Sequence, residues 1–183
     1  MEKTLFITFC LISSLVFSHT PSTGSKEWIV YSSSVKFKIK NTGFNVDGTL
    51  GSLTAKIIFD ASKAFGNSID ATIESKSINT GNETRDGHLK KADYFDVAKF
   101  PTINMKASVI SKEKDGTFKG YFKLTMKGKT KDVFVPFTFK EKDGKAILKG
   151  ELTINRLDFG VGESSMMLSD SATITIEVNV TQK

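Results

Sequence analysis

Phe118–Ile154 reads FKGYFKLTMKGKTKDVFVPFTFKEKDGKAILKGELTI, and its periodicity decides the fold class. Phe118, Gly120, Phe122, Leu124 and Met126 fall on one parity, with Lys119, Tyr121, Lys123 and Thr125 on the other. Side chains alternate across a strand with period two, so this is a strand with one apolar and one wet face. Lys127–Thr130 turns the chain into Val133, Val135, Phe137 and Phe139. Lys142-Asp143-Gly144-Lys145 then carries the Asp-Gly signal of a two-residue hairpin and leads into Ala146, Leu148, Gly150, Leu152 and Ile154.

The same pattern extends outward in both directions. Upstream, Val35, Phe37 and Ile39 alternate with Lys36, Lys38 and Lys40, and Asn41-Thr42-Gly43 forms a turn. Leu53, Ala55, Ile57 and Phe59 share a face, as do Ile69, Ala71 and Ile73, and then Ile103, Met105, Ala107 and Val109. Asp115-Gly116 marks another tight turn, and Ala172–Val180 supplies the last alternating run. These are about eight antiparallel strands with short turns and no long apolar helix between them, which predicts a barrel or sandwich. Each strand has a single apolar face, so a closed barrel with an apolar interior accounts for the pattern most economically. Pro136 sits inside a strand and requires either an edge position or one whose backbone nitrogen is unpaired. Glycines at 48, 120 and 150 lie on apolar faces, where they suit sharp coiling or leave room for a ligand.

Two regions fall outside the barrel pattern. Leu5–Phe17 is almost wholly apolar and follows Met1-Glu2-Lys3, which reads as a secretory signal over residues 1–18, cleaved after Ser18. Cys10 is the single cysteine. Phe9 before it argues against lipidation, and its loss with the signal leaves no disulfide or thiolate chemistry. Residues 19–26, rich in Ser, Thr, Pro and Gly, read as a tether, with the domain spanning 27–183. The net charge of +6 is a solubility device that also permits transient contact with a membrane surface.

The second region is Ser77–Asn104, SINTGNETRDGHLKKADYFDVAKFPTIN, where the alternation stops. An interruption of this kind plugs, caps or gates the barrel. Arg85, Asp86 and His88 lie close enough in sequence for a charge-assisted hydrogen-bond cluster bracing that loop. His88 lacks His or Cys partners at ligand spacing, so no metal site is expected. No G-x-S-x-G or phosphate loop is present. The lysines alternate with the aromatics and therefore face away from them, which argues against binding of single-stranded nucleic acid.

Several separated stretches resemble one family. T-G-N-E-T-R-D-G-H-L (Thr80–Leu89), D-Y-F-D (Asp93–Asp96) and F-P (Phe100-Pro101) are similar to the signature of the YceI-like lipid or polyisoprenoid-binding domain. Further matches are Gly120–Val133, N-R-L-D-F-G-V-G at Asn155–Gly162, and L-S-D at Leu168–Asp170. The resemblance implies a lipocalin-like barrel enclosing a long amphiphile: a polyisoprenoid, a quinone-like lipid or a fatty amide. It also implies an exported, non-enzymatic carrier or sequestering protein without a cofactor, for which a homodimer stays open. Tyr31-Ser32 and Asn41-Thr42-Gly43 depart from the family pattern, which has an aspartate and a histidine in those regions.

Parity places Phe37, Ile57, Ile73, Met105, Phe122, Leu124 and Phe137 on the interior, as cavity wall or equally as solid core. Arg85, His88, Phe95 and Phe100 are expected at the mouth. Asp86, Arg156 and Asp158 are expected as structural signature residues, with Arg156 paired to Asp158. Two other readings stay open: an enzyme acting on a lipid or quinone through Arg85, Asp86 and His88, and a ligand-free module with a solid core.

Overall fold

The computed structural model describes residues 26–183, and the expected signal segment and most of the tether lie outside them. Lys26, at the tether's end, is already fastened: its backbone carbonyl accepts from Phe59 N (2.9 Å) and its ammonium pairs with Glu141 (2.8 Å). Among the described residues there are nine strands: β1 (Glu27–Asn41), β2 (Phe44–Leu50), β3 (Thr54–Ile58), β4 (Ser68–Glu74), β5 (Thr102–Lys112), β6 (Phe118–Met126), β7 (Lys129–Lys142), β8 (Lys145–Asn155) and β9 (Leu168–Gln182). One short helix, α1 (Glu83–Leu89), lies between β4 and β5. All neighbours pair antiparallel.

Strands β3 to β9 follow one another around the sheet, and β9 pairs back onto β1 along nearly its whole length. The other flank of β1 is shared. Its first residues, Glu27 and Trp28, pair with β3, while Val35–Asn41 pair with β2. The result is a closed eight-stranded antiparallel barrel in which β2 and β3 together fill one strand position. Closure leaves few sheet edges for another chain to pair with.

The turns follow from local chemistry. Lys127-Gly128 and Asp143-Gly144 both have positive φ at each central residue (48° and 72°, 51° and 71°), the primed turn whose twist matches the flanking strands. The Asp115-Gly116 connection is looser than a tight turn. Its five residues are closed by Glu113 N donating to Thr117 O at 2.8 Å. At Pro136, β8 has not yet begun to pair with β7, which it does only from Phe137, so no ladder bond is missing on that flank.

Two bulges shift the inward parity. On β1 the inward positions are Trp28 and Val30, then Val35, Phe37 and Ile39, and the irregularity between Val30 and Ser32 changes the phase. Tyr31 is thereby left exposed. On β5 a bulge between Ala107 and Val109 corrects the sequence expectation: Val109 points outward, and Ile110 takes the buried place opposite Gly120. The extra residue of a bulge reverses the alternation beyond it.

The interior is not uniform along the barrel. At the end where β1 begins, Trp28, Phe59, Phe118, Phe137 and Phe139 pack ring on ring, with centroids 4.5 Å (Phe59–Phe139) to 5.9 Å (Phe59–Phe137) apart. The Trp28 indole N–H donates to Phe59 O at 2.8 Å, so this aromatic block carries no unpaired donor. The opposite half of the barrel is hollow.

Candidate functional site

The hollow half is a cavity of about 560 Å³, within the range of small-molecule sites. All seven interior positions predicted as wall or core border it: Phe37, Ile57, Ile73, Met105, Phe122, Leu124 and Phe137. Parity alone could not separate them from Phe59 and Phe118, which have the same inward phase and form the aromatic block with Trp28, Phe139 and, at its boundary with the chamber, Phe137. What distinguishes the two groups is position along the strand. Ala55 and Ala71, paired across β3 and β4, leave part of the wall thin.

The glycines on apolar faces do not leave room for a guest. A methyl group on Gly48 would lie 2.3 Å from Phe37 Cζ, because the Phe37 ring covers its cross-strand partner. Gly120 is covered by the ring of Phe122, two residues along the same strand. These glycines lower the floor on which aromatic wall residues lie.

The cap is the segment between β4 and β5. Its two ends are tied together where Ser75 N donates to Pro101 O (2.9 Å) and Ser75 Oγ donates to Phe100 O (2.6 Å). A bridge between Asn79 and Thr49 joins it to β2. Asn82 caps α1 by accepting from Arg85 N at 2.9 Å, as an N-terminal Asn does. Thr80, Asn82, Thr84, Arg85, His88 and Leu89 from this segment border the cavity, followed by Tyr94 and Phe95. Polar groups of the lining thus gather at the cap, and the strands beneath present almost only apolar side chains.

The charged cluster is built differently from the sequence expectation. Arg85 and Asp86 do not pair; Thr80 stands between them. Its hydroxyl donates to Asp86 Oδ1 (2.6 Å) and accepts from Arg85 Nε (2.8 Å). Its backbone N–H also donates to Asp86 Oδ1 (2.9 Å), and Arg85 Nη2 donates to Thr80 O (3.0 Å). Asp86 therefore ties the loop to the start of α1, while Arg85 is oriented without any ion-pair partner among the described residues. His88 is exposed and takes no part in the cluster. Thr80 went unrecognised in the sequence because a lone threonine ahead of a helix is common.

Two further expectations are corrected. Phe100 does not border the cavity; its ring lies over Gly128 in the β6–β7 turn, because its carbonyl is held by Ser75. Arg156 does not pair with Asp158, which is exposed on the short turn Arg156–Phe159. The buried Arg156 guanidinium reaches instead to Asp170 (3.1 Å) and donates to the carbonyls of Val161 (2.8 Å), Glu163 (2.8 Å), Leu168 (3.3 Å) and Ser169 (2.9 Å). It pins both ends of the loop 161–168 beside the mouth.

A closed antiparallel barrel with an apolar chamber under a polar cap defines a barrel of the lipocalin-like kind. The chain belongs to the YceI-like domain family, whose sequence model matches residues 30–180. It is 33% identical over 138 residues to a UPF0312 protein of Pseudomonas fluorescens, covering 69% of this chain and 70% of that relative. The crystal structure of Burkholderia cenocepacia BcnA is similar at a TM-score of 0.77 and 26% identity, over 80% of this chain and 95% of that one. A polyisoprenoid binding domain from Saccharophagus degradans, implicated in plant cell wall breakdown, shares the fold at a TM-score of 0.63 and 12% identity, over 87% of this chain and 99% of that one.

Proposed function

We propose that the protein binds a long-chain isoprenoid or related amphiphile, tail down in the barrel and polar end at the cap, and carries or sequesters it without chemical change. The cavity carries this reading: its lower wall offers an extended guest apolar contact and little else. At ~0.8 kcal/mol per buried methylene, ten such groups contribute about 8 kcal/mol before the cost of association. Arg85, held by Thr80 and without a carboxylate partner among the described residues, and His88 supply donors for the polar end. The Saccharophagus neighbour is too distant to carry over more than the architecture, so the ligand class rests on the chamber. We further propose that the chain is exported and cleaved after Ser18, acting outside the cytoplasm.

The test is gentle purification from the native host followed by native mass spectrometry before and after organic extraction. The expected result is a mass excess that disappears on extraction and a released prenyl or acyl lipid in the organic phase. Bare protein mass in repeated preparations, even after incubation with prenyl alcohols, phosphates and quinones, would overturn the proposal.

A further inference from the structure

Three large apolar side chains stand exposed together on the rim of the cavity. Phe44 is 76% exposed and Met167 65%, and Met166 is fully exposed. Phe44 opens β2 and the methionines lie in the loop before β9; the two segments are joined where Thr42 N donates to Met167 O at 2.6 Å, beside the Asn41–Leu168 pairing of β1 and β9. Asn41 and Leu168 both border the cavity. On β2, Phe44 has the parity of Val46 and Gly48, which pair with Ile39 and Phe37 of the wall. It therefore continues the inward-facing column of the barrel past the rim into water. Behind the methionines, Arg156 holds the loop through four backbone carbonyls, so the tip is presented from a fixed base.

Single exposed hydrophobic residues are ordinary, and Phe65, 89% exposed in the loop after β3 at the closed end, is one of these. A cluster at the entrance of an apolar chamber is different. We propose that Phe44, Met166 and Met167 insert into the surface of a lipid bilayer and deliver the cavity mouth to it, so that an insoluble tail passes between bilayer and barrel without crossing water. This rests on the reading of the cavity as a lipid site. A bilayer is the fitting occupant because the side chains project from loop tips instead of forming a flat face, and side chains that enter the head-group region need no matching pocket. Lys40 near the end of β1 and Glu163 in the loop before β9 place both signs of charge beside the tips, so the contact is apolar in origin and only weakly sensitive to salt.

The experiment compares the wild-type chain, the triple variant F44S/M166S/M167S and the control F65S, with NBD-labelled geranylgeraniol as probe. Three quantities are read: probe affinity in vesicle-free buffer, flotation with phosphatidylcholine or phosphatidylethanolamine–phosphatidylglycerol vesicles, and probe transfer between vesicles. The triple variant is expected to keep its affinity and thermal midpoint, while flotation and transfer fall by about tenfold or more in both compositions. F65S should behave as wild type. Equal transfer by the triple variant, an equal loss in F65S, or a wild-type protein that binds probe but neither floats nor transfers it overturns the membrane contact alone. A wild-type protein that floats through these tips but binds no probe supports the contact and removes the carrier reading. A dimer in vesicle-free buffer that the triple variant abolishes assigns the tips to a second copy and also overturns the proposal.

Discussion

Replacing Ala71 by Phe tests whether the chamber is space for a guest. Ala71 borders the cavity between Ala55 on β3 and Met105 on β5, so a larger side chain there projects into the void. A phenyl ring that displaces four methylene equivalents of bound tail forfeits about 3 kcal/mol, or roughly 200-fold in Kd. The same ring buries apolar surface in the ligand-free protein, a gain of about 1.5–3 kcal/mol set against a packing strain of about 1–3 kcal/mol. Affinity and stability should therefore separate: Kd for a fluorescent prenyl probe rises steeply, while the urea midpoint of the ligand-free protein stays level or rises. Tight binding by A71F would show that the guest sits elsewhere. A fall in stability as large as the fall in affinity would show that the void is already filled by side-chain packing.

Other outcomes follow from single contacts. Arg156→Met leaves four carbonyls and Asp170 without their buried donor and should cost about 3–5 kcal/mol in denaturant unfolding, with Arg156→Lys recovering only a small part. Gly48→Ala drives a methyl group into the Phe37 ring and should cost about 1–3 kcal/mol, a loss that adding Phe37→Leu reduces. Hydrogen bonds from Ser62 hold the Asp60 carboxyl below its ordinary 3.8, and those from Thr117 do the same for Asp115. Because the folded values are depressed, their stabilisation is present above 3.8 and is lost as pH falls through the folded values. The thermal midpoint of wild type should therefore drop toward that of D60N/D115N in strong acid and exceed it at neutral pH.

The strands were legible because a half-buried sheet writes its burial into alternate residues, as at Phe118–Met126. Val109 shows where this fails: a bulge adds one residue without any composition signal, and every position beyond it changes face. The division of β1 between β2 and β3 was hidden for a related reason, since alternation records which face is wet and not which strand lies alongside. At the site, parity brought out Phe37, Ile57 and Met105 but gave Phe118 the same standing, because depth along the barrel leaves no trace in a period of two. The partners of Arg156 and Arg85 are mostly backbone carbonyls and a threonine hydroxyl, which no search for opposite charges would find. Phe100 was drawn to the mouth by its place in the signature, when its carbonyl had already been claimed by Ser75.

The aromatic block at the Trp28 end makes the chamber a blind bore. A linear guest cannot be threaded through it and must leave by the route it entered, so whichever end goes in first comes out last. For a tail bound as proposed, the block would be a fixed stop against which chain length is measured. Homologues longer than the bore should gain no affinity from their additional units, which stay outside beside the cap. A ladder of prenyl lengths would then plateau, and the length at which it does would report the depth from rim to Phe118.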